Sequence, residues 1–340
     1  MLETGRSRLP ATLARLRDAV TGHIEEAADL RALCRWRIGG RARVLIEPAS
    51  AAEVGAALAI LSESGLPTLV IGDGSNLLFD NRGFDGAIVR IGSNLGGFHR
   101  DGRHVRAGAG LWVPRFVRQL GREGLSGAEH AIGIPGTLGG LIYMNGGSQR
   151  KGIGASVVSV RGCDASGRPF ERSQAECAFS YRGSSLQSDG LIVLEAELAF
   201  SEADPAAMRR EMIAILADRR RKFPKNLPNC GSVFLSNPSM YSIVGPPGAA
   251  IERVGLKGTR LGGAEISPLH ANFIVNRGGA SSRDVLGLIH LARMRVHDAT
   301  GFWMDCEVRH VSPDGVVRPA HEAAAAEAAD AEPAAAGMTS

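Results

Sequence analysis

The chain has 340 residues, and at about 100–200 residues per domain that allows two or three domains with sizeable cores. Hydrophobic residues make up 44% and charged residues 22%, while 44 glycines lie in clusters with no collagen period, which excludes a fibre and a disordered chain. The formal net charge is +4; the only acidic residues beyond position 318 are Glu322, Glu327, Asp330 and Glu332, and without them residues 1–318 carry +8, a charge suited to phosphates and nucleotides.

Residues 1–30 read as a helical lead-in, with Leu13, Leu16 and Val20 at helical spacing and Ile24 continuing the stripe. A strand is expected at 43–46, an alanine-rich helix at 51–64 stopped by Gly65, and a short buried strand at 67–71. Next comes Gly72-Asp73-Gly74-Ser75-Asn76, then an apolar strand at 86–91. A helix is expected at 113–123, and a second glycine segment follows at Gly133-Ile134-Pro135-Gly136-Thr137-Leu138-Gly139-Gly140. Strands at 157–163 and 191–200 lead to a helix at 206–222 that Phe223-Pro224 closes. Beyond it the pattern is α+β again, with a helix at 282–297, a strand at 304–311 and an alanine- and glutamate-rich end.

Five scattered cysteines in no CxxC spacing give neither a disulfide framework nor a zinc site. His104, His130 and His270 have no metal-ligand spacing, so no metal is expected. The first twenty residues hold four arginines and no continuous apolar stretch, which does not read as a secretory signal. No apolar run approaches the roughly 20 residues of a membrane span. A cytoplasmic chain that contacts no membrane is therefore expected, and with no extended apolar face, a monomer.

The first glycine loop follows a strand, where successive N–H groups can converge on an anion or simply form a turn. It is not a GxGxxG fingerprint, because position 77 is Leu77. The second loop presents almost no side chains, so its backbone can lie flat against a planar or pyrophosphate ligand; close strand packing is the other reading. Met144-Asn145-Gly146-Gly147 extends that bare surface. Arg182 beside Tyr181, Ser232 in a polar turn, and Glu307 on a strand of alternating charge are the polar candidates farther on. The cluster Arg219-Arg220-Arg221-Lys222 reads as a solvated helix end. A nucleic-acid binder would interleave aromatics with its basic residues, but aromatics are 5% and no such motif occurs.

Taken in order, these motifs resemble one family. They run from Ile71-Gly72-Asp73-Gly74-Ser75-Asn76-Leu77-Leu78 through the 124–140 segment and Tyr181-Arg182-Gly183-Ser184. Gly231-Ser232-Val233-Phe234, Gly255-Leu256-Lys257-Gly258, His270-Ala271-Asn272 and Glu307-Val308-Arg309 complete the series. The set is similar to the UDP-N-acetylenolpyruvoylglucosamine reductase (MurB) family over about residues 35–312, in its shorter subclass.

The resemblance implies an α+β chain with a two-subdomain FAD-binding domain of the vanillyl-alcohol-oxidase (PCMH) type, followed by an α+β substrate-binding domain. The expected divisions are a lead-in at 1–30 and an FAD-binding domain at 31–204, itself split into 31–92 and 93–204. A substrate-binding domain at 205–315 and a disordered tail at 316–340 complete them. FAD would be held non-covalently by Gly72, Asp73, Gly74, Ser75, Asn76, Leu77, Gly133, Ile134, Pro135, Gly136, Thr137, Gly139, Gly140 and Asn145, and the first loop has no histidine for a covalent link. NADPH would be the hydride donor and a UDP-sugar enolpyruvate the substrate, contacted by Tyr181, Lys257 and Asn272. By the same resemblance Ser232 donates a proton, while Arg182 and Glu307 orient and polarise the substrate carboxylate. Two departures stand out: Cys34-Arg35 where relatives carry Asn-Thr, and Leu235-Ser236-Asn237-Pro238 where a lysine is usual. They leave open a paralogous flavin reductase acting on another enol ether or enoyl acid.

Overall fold

The computed structural model describes residues 3–236 and 238–336, so Asn237 of the second departure and the last four residues of the tail lie outside the described residues. Contacts divide the chain into two units: residues up to 28, 43–73 and 86–219 form the first, and 29–42, 74–85 and 220 onward the second. No described helix is long and apolar enough to cross a membrane.

In the first unit the lead-in is a helix, Glu3–Ala19, that buries Leu13 and Leu16. Ile24, expected on the same stripe, sits instead on strand His23–Glu26 opposite Ile46. Gly22 explains the break: a side chain there would collide with the Glu47 carbonyl, so the chain passes close to the neighbouring strand. Helix Ala51–Ser64 starts where the Ser50 hydroxyl accepts the Glu53 N–H at 3.2 Å, and ends at Gly65 with φ 69°. Its buried face is Val54, Ala57, Leu58 and Leu61, the i, i+3, i+4, i+7 spacing of an amphipathic helix.

Two larger sheets, with a two-stranded pair of Leu125–Ser126 and Ser201–Glu202, complete this unit. One has four strands in the order His23–Glu26, Ala42–Glu47, Phe84–Arg90, Thr68–Ile71. The other is antiparallel, with Pro169–Ser173, Val157–Cys163, Ile192–Ala199, His104–Gly108 and Phe98–Asp101 in that order. Phe116, on helix Val113–Arg122, packs between Phe98 and Phe200 at centroid separations of 6.2 and 6.1 Å. Burying a side chain of that size contributes about 1.5–3 kcal/mol. Helix Pro205–Lys222 buries Met208, Met212 and Ile215 in this same core. It therefore belongs mostly with the first unit, which corrects the expected boundary at 205.

The second unit gathers two early segments onto the later chain. Trp36 is fully buried; its Nε1 donates to the Ile274 carbonyl at 2.7 Å, and its carbonyl accepts from Asn276 Nδ2 at 2.9 Å. Strands Arg260–Leu261, Ala264–Ile266 and Ile274–Asn276 form one antiparallel sheet. Leu77–Phe79 runs parallel to Arg309–Val311, whose other edge pairs with Val317–Pro319. Helix Ser282–Thr300 opens on a capping box of Ser281 and Asp284 and closes at Gly301. The tail expected to be disordered from 316 is instead that edge strand followed by helix Ala320–Ala336, packed on Ser282–Thr300. Ala320, Ala323 and Ala324 are buried there, and alanine both favours the helix and permits close approach. The strand expected at 304–311 shortens to Arg309–Val311, because the preceding residues bond to the 233–235 segment rather than to a ladder.

Candidate active site

The start of the first glycine loop, Gly72-Asp73, meets the second loop within the first unit. A side chain at Gly72 would collide with the Thr137 hydroxyl, so Gly72 lies directly on the second loop. The second loop is stitched to 109–113: Val113 N donates to the Gly136 carbonyl, Leu138 N to Leu111 and Gly139 N to Ala109, at 2.8–2.9 Å. Beside them lies a cleft of about 270 Å³ whose lining includes Asp73, Arg90, Ser93, Gly110, Trp112 and Thr137. Asp73 and Thr137 were readable from the loops; Arg90, Ser93 and Trp112 carry no motif, although Gly92 and Gly110 flag the bare backbone next to them. The bare backbone at Gly92 and Gly110, the Ser93 and Thr137 hydroxyls, the Arg90 guanidinium and the Trp112 ring suit a long, anionic, partly planar ligand, with the Glu47 and Asp73 carboxylates in the same lining. The residues fit FAD.

The other glycines of these loops answer partly to the protein itself. Gly74 has φ 57°, and a side chain there would collide with the Leu33 carbonyl. At Gly133 the colliding group would be the Arg219 guanidinium. Arg219 is thus not part of a solvated helix end, as its cluster suggested; it lies half-buried against the second loop, and burial pushes its pKa down.

Arg182 also belongs to the first unit. It sits in a tight turn closed by Ser180 N to Gly183 O at 3.0 Å and the reverse bond at 3.2 Å. Its φ of 55° is left-handed, a conformation that costs a non-glycine residue about 1–3 kcal/mol unless the surroundings enforce it. They do so here. Asn145 Nδ2 donates to the Ser180 carbonyl at 2.7 Å, Gln187 Nε2 to the Arg182 carbonyl at 3.3 Å, and Arg182 Nη2 to the Gly147 carbonyl at 3.0 Å. The guanidinium lies 5.2 Å from the ring centroid of the exposed Tyr181. Asn145, expected at the cofactor, spends its amide on Ser180 and on the Gly154 N–H.

Ser232 and Glu307 belong to the second unit. Gly231, at φ 79°, turns the chain into Ser232-Val233-Phe234, with its N–H held by Asn229 Oδ1 at 3.0 Å. The Val233 carbonyl accepts the Glu307 N–H at 2.8 Å, and Leu235 N donates to the Asp305 carbonyl at 2.8 Å. Asn76, from the first glycine loop, donates from Nδ2 to the Glu307 carbonyl at 2.9 Å and accepts the Arg309 N–H at 3.0 Å. The structure therefore joins Asn76, the Ser232 segment and Glu307 in one hydrogen-bonded group.

Two expected substrate contacts are otherwise engaged. Lys257 Nζ lies 2.9 Å from Glu252 Oε1. Asn272 is buried with both ends of its amide on Phe234. Of the departures, Cys34 is buried in hydrogen-bonding contact with buried Cys230, which lowers the Cys34 pKa, while burial raises that of Cys230.

Comparison with known proteins divides the chain by sequence, with residues 74–85 of the second unit falling inside the first match. A family model for an FAD binding domain matches residues 42–172, and one for the C-terminal domain of UDP-N-acetylenolpyruvoylglucosamine reductase matches 223–311. UDP-N-acetylenolpyruvoylglucosamine reductase 1 of Corynebacterium glutamicum is 51% identical over 296 residues, 87% of this chain and 88% of that one. The chain belongs to the UDP-N-acetylenolpyruvoylglucosamine reductase (MurB) family. The Heliobacterium modesticaldum reductase is 39% identical over 82% of this chain and 88% of its own length. The crystal structure of MurB from Thermus caldophilus superposes with a TM-score of 0.72 at 29% identity, covering 85% of this chain and 99% of that one. The MurB fold here is α+β, with an FAD-binding domain of the PCMH type and a MurB C-terminal domain. The FAD-binding match includes both glycine loops and the MurB-specific match includes Ser232, Lys257, Asn272 and Glu307; Arg182 lies between them.

Proposed function

We propose that this chain reduces UDP-N-acetylglucosamine enolpyruvate to UDP-N-acetylmuramate, an FAD-dependent, NADPH-driven step of peptidoglycan precursor synthesis. One observation carries the reading: a single chain holds the FAD-binding match and the MurB-specific match, with a reductase 51% identical across 87% of it. Asp73, Ser93 and Thr137, with the bare backbone around Gly72 and Gly110, would hold FAD. When bound, FAD would supply hydride chemistry between NADPH and the methylene carbon of the enol ether.

Hydride addition at that carbon leaves an electron pair on the carbon beside the substrate carboxylate, and the chain's residues complete the addition. The Ser232 hydroxyl delivers the proton there; a neutral hydroxyl is a weak acid, yet it suffices for so basic a carbon. Arg182 supplies fixed positive charge against the negative charge that grows on the carboxylate, which favours the transition state over the ground state. Glu307 would repel that carboxylate if both were ionised, so it acts protonated or sharing a proton. The cysteines are all free thiols and buried, in keeping with a reducing compartment, and we place the chain in the cytoplasm as a monomer that binds neither membrane nor nucleic acid.

The test is NADPH oxidation by the purified, flavin-loaded protein. It should require UDP-N-acetylglucosamine enolpyruvate and yield UDP-N-acetylmuramate. Faster turnover of another enol ether or enoyl acid would overturn the substrate and favour the paralogue.

A further inference from the structure

Asn272 sits in the second unit with 3% of its surface exposed, and its backbone and both ends of its carboxamide are hydrogen-bonded. Its Oδ1 accepts the Phe234 N–H at 2.9 Å and its Nδ2 donates to the Phe234 carbonyl at 3.0 Å, so the carboxamide pairs with Phe234 as a neighbouring strand would. The Asn272 carbonyl accepts the Val233 N–H at 2.9 Å. Its own N–H donates to His270 Nδ1 at 3.2 Å, which requires that nitrogen to be unprotonated. Three of these four hydrogen bonds run from one residue onto the two positions that follow Ser232, and the fourth ties that residue to His270. On the other side of the same segment the Val233 carbonyl accepts from Glu307 N. The segment is too short for a ladder of its own, so this side chain replaces the missing strand.

We propose that Asn272 is a positioning residue: its buried carboxamide clamps the backbone at Phe234 and so sets where the Ser232 hydroxyl points. This inference rests on the reading of Ser232 as the proton donor. It differs from the substrate-contact role that the family resemblance implied for Asn272: the residue is buried and both ends of its amide bond Phe234.

Asn272→Asp is the discriminating variant. The shape is kept and Oδ1 still faces the Phe234 N–H, but the second oxygen now faces the Phe234 carbonyl where a donor stood. An ionised carboxylate there is repelled; a protonated one donates and restores the clamp. Burial and the facing carbonyl both raise such a carboxyl's pKa. The groups around it are His270, whose pKa burial lowers, with Lys257, Glu252 and Lys222 acting on that imidazole. Flavin-loaded N272D and N272A would be reduced with NADPH and mixed rapidly with UDP-N-acetylglucosamine enolpyruvate, following flavin reoxidation from pH 8 to pH 5.5.

The expected loss for N272D at pH 8 is about ten- to hundredfold in the limiting reoxidation rate, the range for a buried polar group left facing a like partner. The substrate dissociation constant and the NADPH-driven reduction should stay within about twofold. On acidification N272D should recover relative to wild type, whereas N272A should not. Wild-type reoxidation rates in N272D across the pH range, or a loss confined to substrate affinity, would overturn the proposal. If N272A fails to fold, the pH-dependent recovery of N272D still decides. Ser232→Ala is run beside them: a wild-type rate in S232A sinks the proton-donor reading, while a slow S232A with a normal N272D sinks only the clamp.

Discussion

The turn that carries Arg182 and the segment that carries Ser232 are built by opposite means. Arg182 holds a left-handed backbone on a half-exposed turn, kept there by side chains of Asn145 and Gln187 that reach its carbonyls. Ser232 precedes backbone that is buried and bonded on both sides, by Asn272 and by the segment at Glu307. A long guanidinium can adjust to a carboxylate from a turn and still deliver its charge. A hydroxyl that transfers a proton must lie within about 3 Å of its acceptor, so its support is backbone that cannot move alone.

That contrast can be broken experimentally. The largest effect should come from Ser232→Ala, with reoxidation of the reduced flavin by substrate slowed about 10²–10⁴-fold and reduction by NADPH unchanged, measured by rapid mixing. Arg182→Ala should cost about 10²–10³-fold in kcat, the range for one charge-stabilising donor. Arg182→Lys should recover only part of this, because the fork that also bonds Gly147 is lost. Equal rates for the arginine and lysine forms would show that charge alone matters on that turn.

The glycine loops extend the same comparison to stability. Gly74→Ala sets a side chain against fixed backbone at Leu33 with φ 57°, and should cost about 1–3 kcal/mol or more together with flavin content, read as Tm and the flavin-to-protein ratio. Gly133→Ala meets the end of the Arg219 side chain, which can swing away, so its loss of Tm should be smaller. The smallest effect concerns His310, buried 3.7 Å from Asp80, with Arg82 and Arg318 also acting on it. Burial holds its pKa below the ordinary value of about 6.5, so the folded protein keeps it neutral where the unfolded chain takes up a proton. Stability is therefore full above about pH 6.5 and is lost as pH falls toward the folded pKa. His310→Gln should flatten that limb of the Tm-against-pH profile.

Much of the first unit was legible because its signals are local. The helix at Ala51–Ser64 announces itself through Ser50 and Gly65, and the strand at Val157–Cys163 through its apolar residues. Both glycine loops stood out by composition alone. The strand at 304–311 and the tail misled for the opposite reason. What Cys306 and Glu307 pair with is set by Phe234 and Val233, some seventy residues away, and the final helix is held by a partner that local pattern does not reveal.

By itself the sequence determined the family, the flavin loops and the identity of the polar residues offered for catalysis, because each is carried by residue types in a local order. Only the tertiary structure decided their employment. It turned Asn76 toward Glu307, Asn145 toward Ser180 and Asn272 toward Phe234, and it brought Arg219 to the second glycine loop. An asparagine's amide looks the same in a sequence whether it faces a ligand or a carbonyl. Buried polar groups must find a partner, and which partner is near depends on how distant segments pack.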